Sequence, residues 1–258
     1  MKPDSHRLFV IDAAVIVIVS IAICLWADRL ALMTVLVPAV ILARHIALAS
    51  IAKTEGINIK AEIAFWLICT LLGAFNDWNS VVHHKIYDYT VPHYFSFTSI
   101  PIWMLLFWGM ILRFFARLAR WQPLSPPPEP SNRLGIGKFR INNAIVKVAA
   151  ELLLVMLTRQ TIYRFYLEPV LSWLPFLFAL LIFVIFFAPT RHDFLLMAVF
   201  LIGGPLIEIL YIQVGHLHRY HLGWIAGVPL WIALWWLLII VIWKDLALRI
   251  ETVLSRRL

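Results

Sequence analysis

Eight apolar runs, each near 20 residues long, dominate the chain. They fall roughly at 8–27, 30–50, 61–80, 98–118, 143–163, 170–189, 193–213 and 224–245. A helix crossing the hydrocarbon core of a bilayer needs about 20 mostly apolar residues, so each run is expected to be one crossing. With 62% hydrophobic and 14% charged residues among 258, the chain is far more apolar than a soluble domain. That excludes a soluble globular enzyme, and it is the reverse of a disordered composition. The expected class is an all-α polytopic membrane protein with eight transmembrane helices.

Basic Met1 to Arg7 followed by an apolar run imitates a signal peptide. No small-x-small site closes the run before Trp26-Ala27-Asp28, so it is read as a first span. Cys24 and Cys69 both lie inside apolar runs with no CxxC spacing, so neither a disulfide framework nor a thiolate metal site is expected.

Pro123 to Pro130 (PLSPPPEP) interrupts the chain between the fourth and fifth runs and is read as an extended, non-helical linker. The expected organisation is a four-helix repeat at 1–120, a linker at 121–140 and a second four-helix repeat at 141–258. Arg113, Arg117, Arg120, Arg133, Lys138 and Arg140 flank that linker, and Lys2, Arg7, Lys53, Lys60, Arg191, Arg249, Arg256 and Arg257 fall on the same side of an eight-span chain. The positive-inside rule then makes the linker and both termini cytoplasmic, in a cell inner membrane. The formal charge of +8 is read as this topology signal and not as a nucleic-acid footprint.

Two stretches match each other. GAFNDWNSVVHHKIYDY, followed by SIPIWMLLFW, corresponds to GPLIEILYIQVGHLHRY, followed by GVPLWIALWW. At an offset of 131 residues Gly73 aligns with Gly204, Asp77 with Glu208 and Tyr89 with Tyr220. After a shortening of three, Pro101, Trp103 and Trp108 align with Pro229, Trp231 and Trp236. Matched acids, tyrosines and a P-x-W-x4-W run in fixed order predict a duplication. Two halves of four spans each share one orientation, related by an axis along the membrane normal, and Asp77 and Glu208 are expected to face one another across a shared cavity.

These acids are the first candidates for chemistry. A carboxyl inside a span costs roughly 3 kcal/mol even on the lower scales and normally faces protein or water. Loss of water favours its neutral form, and a neutral carboxyl can donate a proton. His83, His84, Tyr87, Tyr89 and His93 follow Asp77, and His216, His218, Tyr220 and His221 follow Glu208, all on the outer face. Their spacing matches no metal box, so no metal and no cofactor are expected. His83, His84, His216 and His218 are taken as substrate-binding. Trp103, Trp108, Trp231 and Trp236 are taken as the wall of an aromatic pocket able to hold an isoprenoid or polyene chain. Lys147 and Glu151 are expected to pair within the fifth span, and Arg44 to snorkel from the second. There is no DDxxD pair, GxSxG, P-loop, HExxH or GxGxxG.

The run E-x11-Y with the following GVPLWIALWW resembles the signature region of carotenoid hydratases, and the paired acids resemble those of integral-membrane terpene cyclases. The resemblance implies that Asp77 and Glu208 handle protons. The expected function is a membrane enzyme doing acid-base chemistry (hydration, cyclisation or isomerisation) on a lipid-soluble isoprenoid-like substrate, with Tyr89 and Tyr220 orienting or relaying protons. Two alternatives stand beside it: a proton-coupled transporter or flippase, and a non-catalytic membrane subunit binding haem, quinone or pigment. The expected partners are the bilayer and a hydrophobic small molecule.

Overall fold

A computed structural model describes residues 6–94, 98–124, 130–137 and 139–258. The protein is an all-α polytopic protein, with eight α-helices among the described residues: α1 (His6–Trp26), α2 (Leu30–Glu55), α3 (Ile59–Trp78), α4 (Ile102–Arg120), α5 (Ala144–Phe165), α6 (Leu174–Phe186), α7 (Arg191–Gln213) and α8 (Leu230–Arg257). Six are long and apolar enough to cross a membrane: α1, α2, α3 with its extension to His83, α4, α7 and α8. Large apolar side chains such as Val35, Leu42, Ile46 and Leu71 point outward from them. In water such a surface would aggregate; against lipid it is the expected exterior.

Two expected spans depart from that pattern. Helix α5 is 22 residues long but carries Lys147, Glu151, Arg159 and Arg164. Helix α6 has only 13 residues. Pro175 sets its first turn, where a missing N–H costs nothing. At its other end Thr190 and Asp193 cap α7 reciprocally: Thr190 N–H donates to Asp193 Oδ2 at 2.7 Å, and Asp193 N–H donates to Thr190 Oγ1 at 3.3 Å. The fourth span begins at Ile102 behind Pro101, later than its apolar run. The eighth begins at Leu230, because Trp224 N–H bonds Val228 O and closes a tight turn ahead of it.

The remaining boundaries follow local chemistry. Asn58 Oδ1 accepts from Ala61 N–H at 3.2 Å and starts α3, and Asn143 does the same for α5 through Ile145 and Val146. Gly56, at φ 65°, ends α2 in the left-handed conformation that glycine adopts without strain. Of the proline-rich segment, residues 125–129 lie outside the described residues. Gln122–Leu124, just before them, form one 3-10 turn in place of extended chain. Beyond the segment, beginning inside the 121–140 stretch expected as linker, β2 (Arg133–Ile136) and β3 (Phe139–Asn142) form an antiparallel hairpin with Arg133 opposite Asn142.

The chain divides into two compact units. The first comprises Met1–Pro126, Leu210–Arg219 and Arg249–Leu258; the second comprises Pro127–Ile209 and Tyr220–Leu248. In the first, α4 is the buried helix, packed by α1, α2 and α3. In the second, α8 takes that role, its side chains meeting those of α5, α6 and α7: Lys147 with Asp245, Phe176 with Trp231, and Phe200 with Trp236.

Candidate active site

Asp77 ends the regular part of α3 and is fully buried. Immediately beyond it, Asn79–His83 widen into a π turn, a local rewinding that is frequent at functional positions. The chain then doubles back, so that β1 (Tyr87–Tyr89) brings two phenols onto the carboxyl. Tyr87 Oη donates to Asp77 Oδ1, and Tyr89 Oη donates to Oδ2 at 2.8 Å. His218, buried, closes the cluster, its ring 5.5 Å from that of Tyr87 and 6.2 Å from that of Tyr89. Trp108 stands beside Asp77 and packs on Gly73, where a Cβ would overlap the Trp108 side chain.

Glu208 occupies the corresponding place on α7 in the second unit and is buried. Tyr220 Oη donates to Glu208 Oε2 at 3.3 Å. The Tyr220 ring meets the edge of Trp231 at 5.7 Å, and Trp231 stacks on Phe176 at 5.9 Å. Gly204 packs on Trp236 as Gly73 packs on Trp108. Trp103 is fully buried in the first unit, and its indole Nε1 has no hydrogen-bond partner among the described residues. Among the described residues no group of three or more His, Cys, Asp or Glu converges as a metal site.

The four expected histidines separate. His218 joins Asp77. His83 and His84 instead contact each other at 4.5 Å, and His83 stacks on Trp78 at 6.0 Å. His216 is exposed at φ 45° and contributes its carbonyl to the Thr90 hydroxyl. Although His218 follows Glu208 in the chain, it belongs to the unit of Asp77. Its strand, β4 (His218–Tyr220), pairs with β1, and Thr90 N–H donates to Leu217 O at 3.0 Å. Tyr87 and His218 hold equivalent places in the matched stretches, so the cluster draws on both.

The other buried acids are held differently. Asp12 receives Arg44 Nε at 2.8 Å and Arg117 Nε at 3.0 Å. Glu62 receives Arg113 at both oxygens, 2.5 and 3.1 Å, together with Arg44 and Arg117, both at 3.0 Å. Glu251 completes this network through Arg113 and Arg120. Arg44 therefore does not snorkel; it is 2% exposed, inside this network of charge on α1 to α4 and the end of α8. Arg113 and Arg117, read from sequence as loop-flanking topology signals, are buried in the same core. Arginine's fixed fork suits such shared bidentate contacts. In the second unit Asp193 takes Lys244, with the same 51-residue separation as Glu62 and Arg113. The expected Lys147–Glu151 pair forms at 3.3 Å.

No protein-family model matches the chain, and no curated protein matches it. Among solved structures it is similar to a cross-linked MvINS trimer, with a TM-score of 0.55 and 20% identity over 78% of this chain and 98% of the other. At that identity the likeness concerns the fold alone.

Proposed function

We propose that the protein is an integral membrane enzyme performing acid-base chemistry on a lipid-soluble, isoprenoid-like substrate, with Asp77 as its principal proton-handling group. The observation that carries this reading is the contrast among buried acids. Asp12 and Glu62 are saturated by guanidinium groups and are fixed as counter-ions. The partners of Asp77 are two phenols, and the His218 imidazole lies against both of their rings; all three groups can take up or pass a proton. A carboxyl so placed can protonate an alkene or hydroxyl, and the two phenolic O–H groups stabilise the carboxylate left behind. Within the second unit Glu208 with Tyr220 forms an acid of the same build, and Trp108 beside Asp77 and Trp231 against Tyr220 offer a ring face to each.

We infer one ancestral four-span unit for both halves, which gives each half an acid of its own. Asp77–Tyr89 and Glu208–Tyr220 are each twelve residues apart, Glu62–Arg113 and Asp193–Lys244 each fifty-one, and glycine–tryptophan contacts recur in both units. The proposed setting is a cell inner membrane with cytoplasmic termini, the arrangement that the basic residues around the linker favour.

The test is a comparison of lipid extracts by mass spectrometry from cells carrying the wild type, Asp77→Asn or Glu208→Gln. The expected result is a product present with the wild type and lost with either variant at equal abundance in the membrane fraction. An unchanged product profile with both variants overturns the proposal.

A further inference from the structure

Within the second unit lies a cavity of about 140 Å³ that neither Asp77 nor Glu208 lines. Lys147 and Glu151 face it from α5, Asp193 from α7, and Lys244 and Asp245 from α8. All five side chains are buried. Lys147 Nζ stands 3.3 Å from both Glu151 Oε1 and Asp245 Oδ2, and Lys244 donates to Asp193 Oδ1. Phe183 faces it from α6 and Phe187 from the residue just after that helix. The segment before β2 presents Ser131, and Arg133 beyond it is exposed.

Glu151 and Asp245 thus share one ammonium, each carboxyl lying against the same Nζ. Two ionised carboxylates packed on one ammonium repel each other, and a proton on one of them removes that repulsion. Charge counting gives the same answer: two ammonium groups face three carboxyls, and one proton makes the ring neutral. A buried cluster of net charge is expensive, and a neutral one much less so. At about 30 Å³ per molecule the cavity has room for about four waters.

We propose that this cavity is a proton-binding site, in which Glu151 and Asp245 share one exchangeable proton beside Lys147 and exchange it through water in the cavity. On release the O–H bond breaks, the proton passes to water, and the ring is left with one net negative charge. The proposal does not depend on the chemistry assigned to Asp77.

Infrared difference spectroscopy of the purified protein in lipid nanodiscs tests it through the C=O band of protonated carboxyls. At neutral pH the wild type is expected to show such a band. In Glu151→Gln or Asp245→Asn the ring is neutral without a proton, so each variant is expected to lose one carboxyl's intensity. Lys147→Met removes a positive charge and is expected to gain one. The band unchanged in folded Glu151→Gln and Asp245→Asn overturns the proposal. So does a band that sodium abolishes, which marks a cation site instead. If neither variant folds, the double variant Asp77→Asn, Glu208→Gln decides: its protonated-carboxyl band must persist and shift on ¹³C labelling of Glu and Asp side chains, and no such band overturns the proposal.

Discussion

The Tyr89 hydroxyl donates to Asp77 at 2.8 Å, across a chain segment that rewinds from α-helix through a π turn into a short strand. The bond at the equivalent pair, Tyr220 to Glu208, is 3.3 Å. A hydrogen bond to a charged group contributes about 1.5–3 kcal/mol, roughly tenfold to a hundredfold in rate where it stabilises the reacting carboxylate. Tyr89→Phe is expected to reduce turnover by that factor, and Tyr220→Phe by less, because its bond is longer. Product formed per unit of membrane-inserted protein measures both.

Arg44 ties α2 to α1 through Asp12 and to α3 through Glu62. Replacing it leaves two carboxylates short of a partner in a site closed to water. Arg44→Met is expected to destabilise the protein by about 3–5 kcal/mol, read as a loss of midpoint in denaturant titration. Adding Asp12→Asn is expected to recover part of that loss, since the two residues share one interaction.

A side chain at either packed glycine has nowhere to go, but the obstacles differ. At Gly73 the obstruction includes the Trp108 Cβ and backbone; at Gly204 the nearest atoms belong to the Trp236 ring. Both Gly73→Ala and Gly204→Ala are expected to cost about 1–3 kcal/mol by overpacking. Trp236→Ala should relieve the second, while Trp108→Ala should leave most of the first, and thermal unfolding in detergent separates the outcomes.

The β2–β3 hairpin turns on Gly135, whose φ is 106° and whose added Cβ would strike the Phe139 carbonyl. Gly135→Ala is expected to open the hairpin at a cost of about 1–3 kcal/mol in strain, seen as faster proteolysis between residues 130 and 142 with the helices intact.

Much of this architecture is visible in the amino-acid pattern, because a run such as that from Leu8 to Trp26 has little choice but a helix. Asp77, Glu208, Tyr89 and Tyr220 emerge from the matched stretches. Tyr87 does not, because its counterpart is His218 and not another tyrosine. The charge core on α1 to α4 is harder to read. Arg113 and Arg117 sit at the end of an apolar run beside a basic linker, where topology alone explains them. Their i,i+4 spacing on one face of α4, with Asp12, Arg44 and Glu62 inside neighbouring runs, is the signal that marks them as mutually paired. The short α6 was hidden as well, since hydropathy registers Leu174–Phe186 and its flanks alike and is blind to the caps that trim it.

Helix α8 does not respect the division of the chain: its residues to Leu248 belong to one body, and from Arg249 onward it completes the other. Glu251 reaches Arg120 across 131 positions of sequence. A ribosome that has released everything up to Pro126 has therefore produced a bundle still missing an anion. Severing the polypeptide after Pro126 would leave the second body with every one of its residues and deprive the first of Leu210–Arg219 and Arg249–Leu258.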